Sequence, residues 1–79
     1  MKIEIRLFAT LVQYLPPGSN GRRTVLEVAG GSTVGQVLDR LGIPRNLSKL
    51  IMVDGVHRGV DTVLQDGNVL SVFPPIAGG

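Results

Sequence analysis

The groups best suited to chemistry in this sequence are main-chain groups, not side chains. The sequence closes on Pro74-Pro75-Ile76-Ala77-Gly78-Gly79, so a carboxylate is carried on two residues that lack side chains. Peptide groups without a Cβ fit a channel too narrow for other residues. Pro74 and Pro75 fix φ and remove two backbone donors, which holds the approach extended and discourages it from folding back. The expected chemistry is activation of the Gly79 carboxylate by another enzyme. A carboxylate repels nucleophiles through its charge, and joining it to a leaving group removes that charge. With 11 glycines in 79 residues, a Gly-Gly end arises from composition alone in about one chain in fifty. A flexible glycine end and a truncated chain are the alternatives at this point.

The side chains offer little competing chemistry. The sequence contains no cysteine, which removes disulfides, thiolate metal sites and a cysteine nucleophile together. His57 cannot form a metal site alone. Asp54, Asp61 and Asp66 each precede or open a turn, and they lack the spacing of a calcium loop. A net charge of +2, one adjacent basic pair (Arg22-Arg23) and only Phe8, Tyr14 and Phe73 as aromatics argue against nucleic-acid binding, which needs a denser basic stripe with rings to stack on. Arg6, Arg23, Arg40, Arg45, Lys49 and Arg58 read as a solvated surface, some of it suited to steering an acidic partner. No apolar run reaches membrane-spanning length, and a strand pattern begins at Lys2 with no room for a targeting segment, so a cytoplasmic protein without membrane contact is expected.

One small body has to position that end. A 79-residue chain that is 43% apolar and 18% charged builds one modest core. Residues 2–8 alternate, with Ile3, Ile5 and Leu7 on one face and Lys2, Glu4 and Arg6 on the other, which is a strand with one wet face. Residues 9–15 read as a short helical turn and residues 16–21 as a loop. Residues 22–29 form a second strand with Leu26 and Val28 inward and Arg23, Val25 and Glu27 outward. The short loop makes the first two strands an antiparallel hairpin. Val34, Val37, Leu38 and Leu41 fall on one stripe of a helix. Thr33 and Gln36 form a capping box at its start, Gly42 a left-handed cap at its end, and Pro44 prevents continuation. Gly35 inside this helix is expected to allow close packing on the sheet. Residues 50–54 give a third strand, ended by the Asp54-Gly55 turn, and residues 56–58 a short edge strand. Residues 61–64 read as one helical turn, and residues 68–73 as the last strand, running straight into the tail. The hairpin and helical crossover make the first and last strands central neighbours.

That order gives an α+β fold of the ubiquitin-like β-grasp kind: a mixed sheet of four to five strands with one main helix on one face. Residues 1–73 form the β-grasp domain and residues 74–79 an extended tail. With this order and ending the chain resembles the MoaD/ThiS family of small sulfur carriers over essentially its whole length. The residues that carry the resemblance are Ile5-Arg6-Leu7-Phe8-Ala9, Thr33-Val34 at the helix start, Leu64-Gln65-Asp66-Gly67-Asn68-Val69, and Phe73-Pro74-Pro75-Ile76-Ala77-Gly78-Gly79. The opening, the helical turn after it and the Phe73-Pro74-Pro75 approach look like MoaD, the small subunit of molybdopterin synthase. Leu41-Gly42-Ile43-Pro44 looks closer to ThiS, which serves the thiazole of thiamine. Asp54 stands where many members of both branches have asparagine.

The resemblance implies a protein co-substrate and not an enzyme. A ubiquitin-activating-like adenylyltransferase of the MoeB/ThiF type would join Gly79 to AMP at the expense of ATP, and a sulfur donor would convert the adenylate to a thiocarboxylate. The sulfur-acceptor enzyme would be a MoaE-like large subunit or a thiazole synthase. No bound cofactor is implied. Strand parity puts Phe73 and Met52 on the open face of the sheet, and together with Pro74, Pro75, Ile76 and Ala77 they form the expected partner-binding surface. Two other readings stay open: a ubiquitin-like modifier joined to lysines through Gly79, and a plain interaction module with an irrelevant tail.

Overall fold

A computed structural model describes residues 1–75. The elements in chain order are β1 (Lys2–Leu7), a 3₁₀ segment (Ala9–Tyr14), β2 (Arg23–Glu27), α1 (Val34–Leu41), a short 3₁₀ turn (Arg45–Leu47), β3 (Leu50–Val53), β4 (Val56–His57) and β5 (Val69–Phe73). Among the described residues the strands form one five-stranded sheet in the order β2-β1-β5-β3-β4. β1 pairs antiparallel with β2 and parallel with β5, so the first and last strands are central neighbours. β3 pairs antiparallel with β5 and with the two-residue edge strand β4.

The core follows from the period of each element. Ile3, Ile5 and Leu7 of β1 and Leu70 and Val72 of β5 have no exposed surface, and they join Val34, Val37 and Leu38 of α1 in one cluster. Ile51 and Val53 extend that cluster under β3. The alternate residues stand on the opposite, open face, as the pleat requires.

α1 begins and ends where its residues allow. Gln36 N donates to Thr33 Oγ1 at 3.2 Å, and Thr33 N donates to Gln36 Oε1 at 2.9 Å, a reciprocal capping box. Gly42 closes the helix at φ +78°, a conformation that penalises a Cβ. Thr33→Ala should lower unfolding stability by about 1 kcal/mol, read as a shift of the urea midpoint at constant slope.

Two expectations need correction. Residues 61–64 do not form a helical turn. Val34 N donates to Thr62 O at 3.0 Å and Leu64 N to Ser32 O at 2.8 Å, so this segment is extended and bridges to the residues entering α1. Backbone pairing with a neighbouring segment outweighs the local helical signal of an aspartate followed by apolar residues. Gly35 faces loops and not the sheet. A Cβ there would lie 2.8 Å from Arg45 Nη2 and 3.3 Å from Val60 O, and its own N–H donates to Val60 O at 2.9 Å. The missing side chain lets the 58–62 loop approach the first turn of α1.

The aspartates do tie turns. Asp54 and Gly55 have φ of +52° and +80°, the conformation of a tight hairpin turn. The Asp54 carboxylate accepts from Val69 N at 2.7 Å and from Asn68 Nδ2 at 2.6 Å. Asp66 Oδ1 accepts from Lys2 N at 2.8 Å.

Candidate functional site

The parallel pairing of β1 with β5 sends both strands out at the same end of the sheet. Antiparallel pairing brings the entry to β2 and the start of β3 to that end as well. Four backbone bonds close it: Leu7 N to Arg22 O (2.9 Å), Phe8 N to Val72 O (3.2 Å), Lys49 N to Phe73 O (3.0 Å) and Ser48 N to Arg45 O (3.1 Å). The tail segment therefore leaves from a central strand, held on both sides up to Phe73.

Strand parity decides what surrounds this exit. Phe8 continues the outward parity of Glu4 and Arg6, Phe73 that of Val69 and Ser71, and Leu50 stands opposite Phe73 in the β3–β5 register. The rings of Phe8 and Phe73 stack with centroids 4.2 Å apart and planes 8° from parallel, an arrangement that adds roughly 0.5–1.5 kcal/mol beyond burial. Phe8, Phe73 and Pro74 are half-buried, whereas Leu50 and Pro75 are exposed. With Ala9, Thr10 and Lys49 they line an open, mostly apolar hollow of about 740 Å³.

Ala9 sits in this hollow at φ +53°. For a residue with a Cβ this conformation costs about 1 kcal/mol, so the bend that carries the chain from β1 into the 3₁₀ segment is strained. Ala9→Gly should raise stability by about 0.5 kcal/mol at most, because the relief of strain is partly offset by the greater freedom of glycine in the unfolded chain; a urea midpoint no lower than that of the parent checks it.

The structure sorts the residues proposed from sequence as follows. Phe73, Pro74 and Pro75 come together in the hollow. Met52 does not line it; it is half-buried one register step inward, opposite Ser71 and His57. Ile76, Ala77, Gly78 and Gly79 lie outside the described residues. Phe8 and Leu50 belong to the site but escaped the sequence reading. Parity was the available signal: each is an apolar residue falling on the face its strand otherwise gives to polar or half-buried residues.

Among the described residues no cluster of histidine, aspartate or glutamate is placed to hold a metal. His57 is exposed on the edge strand β4. No helix of the described residues is long and apolar enough to cross a membrane.

Comparison with known proteins agrees with this architecture. The chain is 33% identical to small archaeal modifier protein 3 of Haloferax volcanii, with both chains covered in full. The solution structure of the Haloferax volcanii HVO 2177 protein superposes with a TM-score of 0.77 at 31% identity, over 100% of this chain and 87% of that one. One chain of the protein–protein complex of subunits 1 and 2 of molybdopterin-converting factor from Helicobacter pylori matches with a TM-score of 0.61 at 20% identity, over 100% of this chain and 100% of that one, which speaks to fold alone. The likeness to MoaD-like proteins thus holds at the level of the ubiquitin-like β-grasp fold. The family model described as Mut7-C ubiquitin matches residues 1–77, and the chain belongs to that ubiquitin-like β-grasp family.

Proposed function

We propose that this chain is a protein co-substrate whose Gly79 carboxylate is activated by a partner and then carries sulfur. The observation that supports it most is the continuity of the central strand β5 with the Pro74-to-Gly79 segment, beside an apolar hollow. A carboxylate oxygen of Gly79 attacks the α-phosphate of ATP and pyrophosphate leaves, giving an acyl-adenylate. A hydrosulfide-equivalent donor then attacks the carbonyl carbon, AMP leaves with the bonding electrons, and a proton is released. The product is a thiocarboxylate, a sulfur nucleophile on a protein handle. None of these steps asks for a catalytic side chain from this chain. In this reading the hollow, with Phe73, Pro74 and Pro75, docks the adenylyltransferase, and a partner that consumes ATP goes with the proposal of a cytoplasmic protein. Use of the sulfur in molybdopterin assembly, with a MoaE-like large subunit, is the favoured outlet; thiamine thiazole is the next.

A second reading is favoured by the kinship with a protein named as a small archaeal modifier. In that case a neutral lysine ε-amine attacks the carbonyl carbon of the same acyl-adenylate, AMP leaves with the bonding electrons, the nitrogen loses a proton, and an isopeptide bond forms.

Intact mass spectrometry separates the two. The chain is incubated with the ubiquitin-activating-type adenylyltransferase of its own organism, ATP and sulfide, with and without lysine-bearing protein. Replacement of one oxygen by sulfur supports the carrier; conjugates of higher mass support the modifier. An unchanged mass in every arm removes both. The mass of the chain purified from its native cell also tests whether the Gly79 carboxylate is the mature end.

A further inference from the structure

We propose that the sheet end from which the tail departs binds an acidic segment of a partner protein, carboxylates meeting Arg6, Arg22 and Arg23 while an apolar side chain enters the hollow between Phe8, Leu50 and Phe73. This rests on the reading that a partner receives the tail, and it adds the chemistry of that partner's surface.

The fold sorts charge along the strands. At the exit end stand Arg6, Arg22, Arg23 and Lys49. Near the opposite end, Asp66 is held on Lys2 N and Asp54 on Val69 N, their carboxylates occupied by backbone donors. Of the other acids, Asp39 is engaged with Arg45 beyond α1. Among the described residues, Glu4 is the acid that pairs with an exit-end arginine, through Arg6 Nε.

One register pair shows the surplus. Arg6 of β1 lies directly opposite Arg23 of β2 on the open face, and like charges so placed repel. Arg22 is a third arginine, at the same hollow as these two. These three and Phe8 line one open hollow of about 570 Å³ with Asn20 and Gly21. Arg22 and Arg23 are exposed and enter no side-chain hydrogen bond or ion pair within residues 1–75. Carboxylates bind such a fork-bearing cluster in bidentate fashion and relieve its repulsion. Phe8 lines both this hollow and the apolar one, so the two are contiguous and fit a segment with an apolar stretch next to an acidic one. A nucleic acid is less well served, because one face of each phenyl ring is already covered by the other.

The test is a titration of the ¹⁵N-labelled full chain with a short blocked peptide of leucines followed by glutamates. The proposal expects amide shifts confined to the neighbourhoods of Arg6, Phe8, Arg22, Arg23, Leu50 and Phe73, and weakening of at least about fivefold when salt is raised well above physiological strength. Arg22→Glu with Arg23→Glu should weaken binding by about tenfold or more; Arg22→Gln with Arg23→Gln serves if the reversal perturbs the fold. The proposal is overturned by absence of shifts at millimolar peptide, by shifts centred on α1, by equal binding of the same peptide with lysines for glutamates, or by tighter binding of an oligouridine. No ATP is present, and a chain lacking Gly79 should bind the peptide equally well. Failure here therefore leaves the tail chemistry standing, and failure of the tail chemistry leaves this surface standing.

Discussion

Deleting Gly79 is expected to reduce acyl-adenylate formation by about a thousandfold or more, with no change in thermal unfolding. One residue contributes at most about 3.3–3.6 Å to the reach of a chain, and misplacement of a reacting group by as little as about 1 Å can cost a hundredfold. Gly78 would then present a chemically equivalent carboxylate in the wrong place. The fold has no stake in the change, because the last strand ends at Phe73. Gly79→Ala restores the length and adds one Cβ, so it should fall between wild type and deletion if the receiving channel is narrow. Pyrophosphate release in the presence of the activating enzyme measures the rate. A plain interaction module with an irrelevant tail gives identical rates for all three chains, and that result would remove both the carrier and the modifier readings.

Much of the body was legible because its signals are local and periodic. The alternation of residues 2–7 specifies both a strand and its buried face, and the stripe Val34, Val37, Leu38 specifies a helix whose capping residues lie three apart. The central pairing of β1 and β5 follows from connection length and handedness. Where two segments compete for backbone partners, local pattern misleads. Residues 61–64 carry a helical signature, yet Thr62 and Leu64 give their backbone groups to Val34 and Ser32. Gly35 was correctly marked as a close approach but assigned to the wrong neighbour, since nothing in its own helix announces the loop that carries Val60 and the side chain of Arg45.

The site divides in the same way. Phe73 and its prolines were legible from parity and from their place before the tail. Parity marks Leu50 and Phe8 as outward apolar residues, but only the cross-strand register shows that Leu50, and not Met52, stands opposite Phe73. Sorting of charge toward the exit end is not visible in a sequence with a net charge of only +2. It arises because the turns at the far end hold Asp54 and Asp66, whereas the β1–β2 register aligns Arg6 with Arg23. Gly78 and Gly79 are marked by chemistry alone, two peptide groups without side chains ahead of a carboxylate.

Phe73→Ala is expected to weaken engagement of the activating enzyme by about ten- to fiftyfold, as for truncation of an aromatic anchor in a partly desolvated patch. Two contributions are lost together. The ring is half of the stacked Phe8–Phe73 pair, and it forms the wall of the hollow facing Leu50. Because the ring is half-buried on the open face, the stability cost should stay near 1–2 kcal/mol, so the chain remains folded at assay temperature, which circular dichroism verifies. Docking energy of this kind acts equally before and during reaction, so the variant should raise the KM for the carrier and leave kcat at saturation nearly unchanged. Leu50→Ala should behave the same way to a smaller extent, although Leu50 belongs to a different strand and is remote in sequence from the tail. Val25→Ala, which trims an exposed apolar side chain on the edge strand β2, should alter neither constant. If Phe73→Ala lowers kcat with KM unchanged, the ring acts by aiming the tail and not by docking the partner. If neither constant moves, the hollow has no part in activation, and the partner must hold the chain by the tail alone.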